Sequence, residues 1–277
     1  MCILFVHVDP SPCKGGYRLV VATNRDEYYN RPSAKAQIDP QTNIIGGKDM
    51  QPGKEGGTWL AFRSKDQENG KDQKHCVGVL LNLTGVVVEN STGRGTIITD
   101  YLTSSLSYPQ YCEVLDRTNY GGYNFVSIEL SKEESVTYQH SNIPKITSSY
   151  MGKHTMGFGN SPIFNPLYKV RGGRNRFEEI IEKHLTKECL EQALLELLKD
   201  GNTKYLPDDE LQRRQPLAFE NLSSIFIEID PPGYGTRTHT LIFIDYDWNL
   251  SFIEYTMTEP INIKNPEWTE SRIELKL

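Results

Sequence analysis

No stretch of this chain reaches the roughly 20 consecutive apolar residues that a membrane-spanning helix needs. Basic residues are not in excess either: 36 Asp and Glu stand against 30 Lys and Arg, a net charge of −6. That balance argues against nucleic acid and anionic membrane surfaces as main partners. Cysteines are few and scattered, at positions 2, 13, 76, 112 and 189. They form no C-x-x-C pair and no regular spacing, so neither a disulfide framework nor a thiolate zinc site is expected. Free thiols of this kind suit a reducing compartment. The opening run "CILFVHV" stops at Asp9-Pro10, and no basic residue comes before Lys14. A secretory signal needs a charged start and a longer apolar core, and a mitochondrial presequence needs Arg and few acids. The expected location is cytoplasmic, and the sequons at Asn82, Asn90, Asn221 and Asn249 are read as chance. Repeats and low-complexity tracts are missing as well.

What is present is a globular chain of 277 residues with 37% apolar residues and 15 tyrosines. Short β-rich runs occupy both ends: residues 2–8, 17–23, 76–83, 124–130 and 134–140, then 223–229, 239–245 and 250–256. The last three read as a meander, with Asp247, Trp248 and Asn249 in its second turn. Helical spacing covers residues 92–106 through Ile97, Ile98, Tyr101 and Leu102. It also covers 174–199, where Thr186 is placed to cap a second helix and Gly201 to end it. Residues 63–75 and 201–217 are polar connections. Strands first, helices in the middle and strands last predict an α+β fold with helices on antiparallel sheets, and 1–277 reads as one domain.

The first two strands flank "DPSPCKGG". A hairpin centred near Cys13 sets Cys2 across from Asn24, so Asn24 and Asp26 share the Cys2 face and Arg25 points away. A slip of one residue reverses that assignment. Two readings of Cys2 follow. It is either a small hydrophobe at the start of a buried strand or a nucleophile. Removal of Met1 leaves a thiol and an α-amine on one carbon, with ordinary pKa values of about 8.5 and roughly 7.7–8.0. The amine is then matched to take the thiol proton. Asp26 would steady the ammonium, and Asn side chains would serve as oxyanion donors.

"ATNRDEYYNRP" (22–32), "GKEGGTWLA" (53–61), "GFGNSPIFNPLYKVRGGRNRF" (157–177) and "PPGYGTRTHT" (231–240) together resemble the signatures of the NRDE family, the transport-and-Golgi-organisation protein two family. The likeness spans essentially the whole chain. It implies the four-layer αββα sandwich of N-terminal-nucleophile hydrolases. Related cysteine amidases, such as penicillin V acylase and bile salt hydrolase, carry Arg-Asn-x-Asp after the first hairpin. By position their Asn and Asp fall on Asn24 and Asp26, while their Arg falls on Thr23, so that cation is missing here. Their oxyanion-donor Asn resembles Asn160, a later active-site Arg resembles Arg237, and Asn82 is a further amide donor by the same comparison.

The resemblance implies three functions for one pocket. The first is intracellular haem trafficking, a chaperone moving haem out of mitochondria or storage organelles. The second is a cysteine amidohydrolase acting on a small acylated substrate, with Cys2, Asn24, Asp26, Asn82, Asn160 and Arg237 as its site. The third is an acyl-coenzyme A or lipid binder in lipid homeostasis and Golgi organisation. Hydrolysis of this type requires no cofactor, and haem would be cargo. Mitochondrial or Golgi association and transient contact with a membrane or a haem protein belong to the same expectation. Trp59 would line a flat cleft and Arg237 would grip a carboxylate, such as a haem propionate. Lys54 and the group Lys169, Arg171 and Arg174 would add positive charge. The histidines at 7, 75, 140, 154, 184 and 239 show no ligand-spaced pair, and no cysteine precedes a proline in the manner of haem-sensing dipeptides.

Overall fold

A computed structural model describes residues 1–65, 73–183 and 185–277. The middle of the polar connection at 63–75 and His184 lie outside them. The chain opens with β1 (Ile3–Val8) and β2 (Tyr17–Tyr28), then runs through β3 (Ser33–Ile38), β4 (Ile45–Asp49), β5 (Leu60–Lys65) and β6 (Lys74–Asn82). Two helices follow, α1 (Ile97–Thr103) and α2 (Tyr108–Leu115), and then β7 (Tyr123–Leu130), β8 (Ser135–Asn142), β9 (Lys145–Met151) and β10 (His154–Phe158). Helices α3 (Tyr168–Glu182), α4 (Lys187–Leu198) and α5 (Asp209–Arg214) precede β11 (Glu228–Ile229), β12 (Tyr234–Asp245), β13 (Asn249–Met257) and β14 (Trp268–Lys276).

These elements divide into two compact units. Residues 1–30 and 153–277 form the first, and residues 31–152 the second. The first holds an antiparallel sheet in the order β10-β1-β2-β12-β13-β14, with β11 on β12. Its core joins Ile3, Phe5, Val20, Ala22, Leu241, Phe243 and Ile253 of the sheet to Val170 and Phe177 of α3 and Leu190, Leu194, Leu197 and Leu198 of α4. The second is a sequential meander, β3 through β9. Its core brings Ile97, Ile98, Tyr101 and Leu102 of α1 and Tyr108, Tyr111 and Cys112 of α2 onto Cys76, Leu80, Tyr123 and Phe125. The α+β class is therefore as expected, with helices packed on antiparallel sheets.

Local physics explains most boundaries. The continuous apolar run of β1 is buried along its whole length, as a strand covered on both faces must be. Between α3 and α4 the backbone N–H of Cys189 donates to Thr186 Oγ1 at 3.4 Å, which is the expected cap. A helix after residue 106 was not expected, yet α2 starts there. Ser107 N donates to Gln110 Oε1 at 3.0 Å, half of a capping box, and Pro109 fits the first turn. Residues 223–229 were expected to be a strand, and only Glu228 and Ile229 are. Ser223, Ser224, Ile225 and Ile227 are nonetheless fully buried. Their backbone groups are satisfied by other partners: Tyr205 N donates to Ser223 O, Asn24 Nδ2 to Ile225 O, and Ile227 N to Thr236 Oγ1. An apolar run read as a ladder is thus an irregular buried strap across the first unit.

Helix α3 seats on β1 through Gly173, where a Cβ would lie 2.3 Å from Phe5 Cζ and 3.1 Å from Ile225 Cδ1. Phe177, one turn on, stacks on Phe5 with centroids 5.8 Å apart. Gly173→Ala is expected to overpack this contact and lower stability by about 1–3 kcal/mol. Urea denaturation compared with the parent measures it directly.

Candidate functional site

The register of the opening hairpin differs by one residue from the expectation. Ile3, not Cys2, lies opposite Asn24. Asn24 therefore shares its face with the helix-side core and does not turn toward Cys2. Its amide is fully committed, donating to Leu198 O at 2.8 Å and Ile225 O at 3.1 Å. Its Oδ1 meets His239 Nδ1 at 2.7 Å. Because both amide protons are used on carbonyls, Oδ1 can only accept, and His239 Nδ1 carries the proton. Burial pushes His239 down to about 3, so the ring is neutral, stacked on Trp268 with centroids 4.7 Å apart. Asn24 is a tie between sheet, α4 and strap.

Asp26 is brought to Cys2 through its backbone, while its carboxylate meets the N-terminus and Thr236. Cys2 Sγ accepts from Asp26 N at 3.4 Å and lies 3.7 Å from Asp26 O. The N-terminal ammonium, here on Met1, sits 3.1 Å from Asp26 Oδ2 and also donates to Tyr234 Oη. Thr236 Oγ1 donates to Asp26 Oδ1 at 2.6 Å. A β-bulge makes this convergence possible. Thr236 pairs with Asp26 and Thr238 with Arg25, leaving Arg237 as the extra residue of β12. Burial and the Asp26 carboxylate raise the Cys2 thiol above its ordinary value, while the N-terminal ammonium, the Asp26 N–H and Arg25 pull it down; burial dominates.

On the other flank of β1, β10 ends with Phe158 opposite Leu4. The chain just past β10 stays beside the start of β1, at Gly159. A Cβ there would be 3.9 Å from Cys2 O and 2.7 Å from Val170 Cγ2. Asn160 and Ser161 are both buried. Behind them lies Lys169, which is 1% exposed and donates to Ser224 O at 3.2 Å. Sequence reading named it only as general positive charge. Its position on the 169/173/177 face, which otherwise holds Gly173 and Phe177, was the available signal. Tyr234 and Thr236 were missed because their roles arise from the bulge.

Arg237 is fully buried, but the carboxylate it holds is internal. Its Nη2 pairs with Glu259 Oε1 at 2.5 Å and its Nη1 donates to Tyr28 O at 3.2 Å. Asn82 and Trp59 belong to the second unit. Trp59 there closes on Gly47, where a Cβ would meet its ring at 2.6 Å. The neighbouring Gly56-Gly57 is a turn: Gly56 has φ +82°, and a Cβ on Gly57 would touch the Gly95 backbone at 2.9 Å. Among the described residues no group of three or more His, Cys, Asp or Glu is arranged to hold a metal ion, and no helix is long and apolar enough to cross a membrane.

Buried histidines set an acid limit on this architecture. Burial pushes His7 and His75 down to about 4, and His239 to about 3. Unfolded imidazoles take up protons near pH 6.5, while these folded ones stay neutral until about pH 4 or below. The unfolded state thus binds more protons across that window, and stability must fall as pH drops through it while being fully present above it. Urea midpoints are expected to decline steadily from about pH 6.5 to pH 4. His239→Phe, which keeps a ring on Trp268, should flatten the decline by up to one proton.

Comparison with known proteins places this arrangement. The family model described as Transport and Golgi organisation 2 matches residues 1–259. Among curated proteins, the Drosophila melanogaster Transport and Golgi organization protein 2 is 38% identical over 99% of this chain and 98% of its own length. The Homo sapiens homolog of that protein is 32% identical over 94% of each chain. The Mus musculus homolog is 31% identical, again over 94% of each. This chain belongs to the Transport and Golgi organisation 2 family.

Proposed function

We propose that the chain is a cysteine amidohydrolase of the N-terminal-nucleophile type, acting on a small acylated substrate once Met1 is removed. One observation carries this reading: Asp26 holds the N-terminal ammonium at 3.1 Å while its own N–H meets Cys2 Sγ at 3.4 Å. With Met1 in place the ammonium belongs to the wrong residue and burial keeps the thiol protonated. Excision puts the amine on the Cys2 Cα and uncovers the sulfur. The α-amine then takes the thiol proton, and the thiolate adds to the acyl carbonyl carbon. Asn160, buried just past the end of β10, would donate to the developing oxyanion. The C–N bond breaks as the ammonium returns its proton to the leaving amine. Water next cleaves the thioester, releasing the acid and restoring the thiol.

The relatives' names concern transport and Golgi organisation. An acyl-coenzyme A or lipid binder would use the same residues without bond cleavage. Intact-mass analysis of protein from cells, followed by alkylation, separates these readings. The hydrolase reading expects loss of Met1 and a Cys2 that reacts far faster than Cys13, Cys76, Cys112 and Cys189. Retained Met1 with a slow Cys2 would leave only a binder.

Haem carriage has a different observation in its favour. A cavity of about 770 Å³ in the first unit is lined by His7, Lys14, Lys153, Ile181 and Leu185. His7 Nδ1 bonds Thr155 Oγ1 at 2.9 Å, and burial keeps the ring neutral at cellular pH. A neutral imidazole with one nitrogen engaged is the form that ligates iron through the other. Arg237, already neutralised by Glu259, would have no part in gripping propionates. Haem titration is expected to give a saturable Soret shift that His7→Ala abolishes and Arg237→Ala preserves. Loss in Arg237→Ala alone would move the site away from this cavity.

A further inference from the structure

We infer that Lys169 is a fixed cation of the Cys2 site, stabilising the thiolate that forms once Met1 is gone. The inference rests on the hydrolase reading and adds a residue to it. Lysine is almost never fully buried unless paired. Lys169 is 1% exposed, yet among the described residues it makes no ion pair and one hydrogen bond, to Ser224 O. An ammonium carries three donors, so two remain uncommitted inside the protein.

Position explains what they are for. Lys169 stands in the first turn of α3, directly before Val170. Val170 packs against Gly159, which in turn backs onto Cys2 O. Met1, Leu167 and Val170 share one apolar cluster, so the start of α3 covers the N-terminus. The charges that act favourably on Lys169 are those of Asp26, Cys2 and Asp208, with Lys204 opposing; burial outweighs them and lowers the ammonium to about 8. Around Cys2 itself stand the N-terminal ammonium, Asp26 and Arg25. Tyr234 donates to Asp26 O at 3.5 Å. When Met1 leaves, its side chain leaves the Asp26 pocket and the α-amine moves to the Cys2 Cα. Lys169 stays buried there together with Arg25, and, making no ion pair among the described residues, it is free to balance the sulfur as the thiolate forms. It acts through charge on Cys2 and is a positioning residue, not a catalytic one.

The test follows Cys2 alkylation by iodoacetamide across pH, read by peptide mass spectrometry on full-length protein whose N-terminus has been verified by intact mass. Lys169→Met is expected to raise the midpoint by about one pH unit and slow alkylation near neutrality about tenfold, with the high-pH plateau unchanged. Lys169→Arg should restore the parent midpoint. Lys169→Met should also melt at or above the parent temperature, because it relieves a buried charge. An unchanged midpoint, or a Lys169→Met protein that melts well below the parent or does not fold, overturns the inference and leaves Lys169 as a tie to Ser224. A parent Cys2 that alkylates slowly at every pH fails the hydrolase reading itself. A fast parent Cys2 with an unmoved midpoint in Lys169→Met removes only the lysine's role.

Discussion

The Asp26 carboxylate is the constraint around which the first unit is arranged. It is buried, and a buried carboxylate is tolerable only when charge and hydrogen bonds meet it. The N-terminal ammonium supplies the charge, at 3.1 Å, and Thr236 supplies a hydroxyl, at 2.6 Å. Neither partner is local in sequence. The ammonium reaches Asp26 because β1 pairs with β2, and Thr236 reaches it because β12 pairs along nearly all of β2. The bulge at Arg237 lets one strand aim Thr236 at Asp26 while the extra residue turns its guanidinium to Glu259 and Tyr28. One irregular residue in a long ladder thus fixes two buried charges.

A second tie keeps the sheet registered with its helices. Asn24 joins three carriers at once: the end of α4 through Leu198 O, the strap through Ile225 O, and β12 through His239. All of these groups are buried, so each unmade bond would cost about 1–3 kcal/mol. The strap at residues 223–227 has no strand partner for most of its length and depends on such side-chain bonds. Lys169 donates to it too, at Ser224 O. The scaffold that holds the strap and the cluster around Cys2 are therefore one polar network.

The sequence disclosed the ends of this arrangement better than its middle. The buried strands β1, β2, β6, β7, β12 and β13 were legible because apolar runs report burial. Strands β9 and β14 were not, since most of their residues are exposed at sheet edges and form no apolar run. Asp26 at Cys2 was legible as a carboxylate near the chain start. Asn24 was assigned the wrong neighbour because a long loop leaves register open by one residue, and one residue reverses the face. Arg237 was recognised as special, but its internal partner Glu259 lies beyond the end of the next strand, where no local pattern points. Lys169 looked like surface charge because burial of a lysine is decided by tertiary packing alone.

The Met1 side chain bears on how such a site is kept quiet. It is buried in the same cluster as Ile3, Leu167 and Val170, and a buried Met contributes about 1.5–3 kcal/mol of transfer free energy. The N-terminal ion pair with Asp26 adds to that. Removing Met1 therefore trades stability for an exposed sulfur and a relocated amine, leaving apolar space beside α3 where a residue had been packed. Under the hydrolase reading, the contacts that hold Met1 in the unprocessed chain are the ones its removal would open beside Cys2.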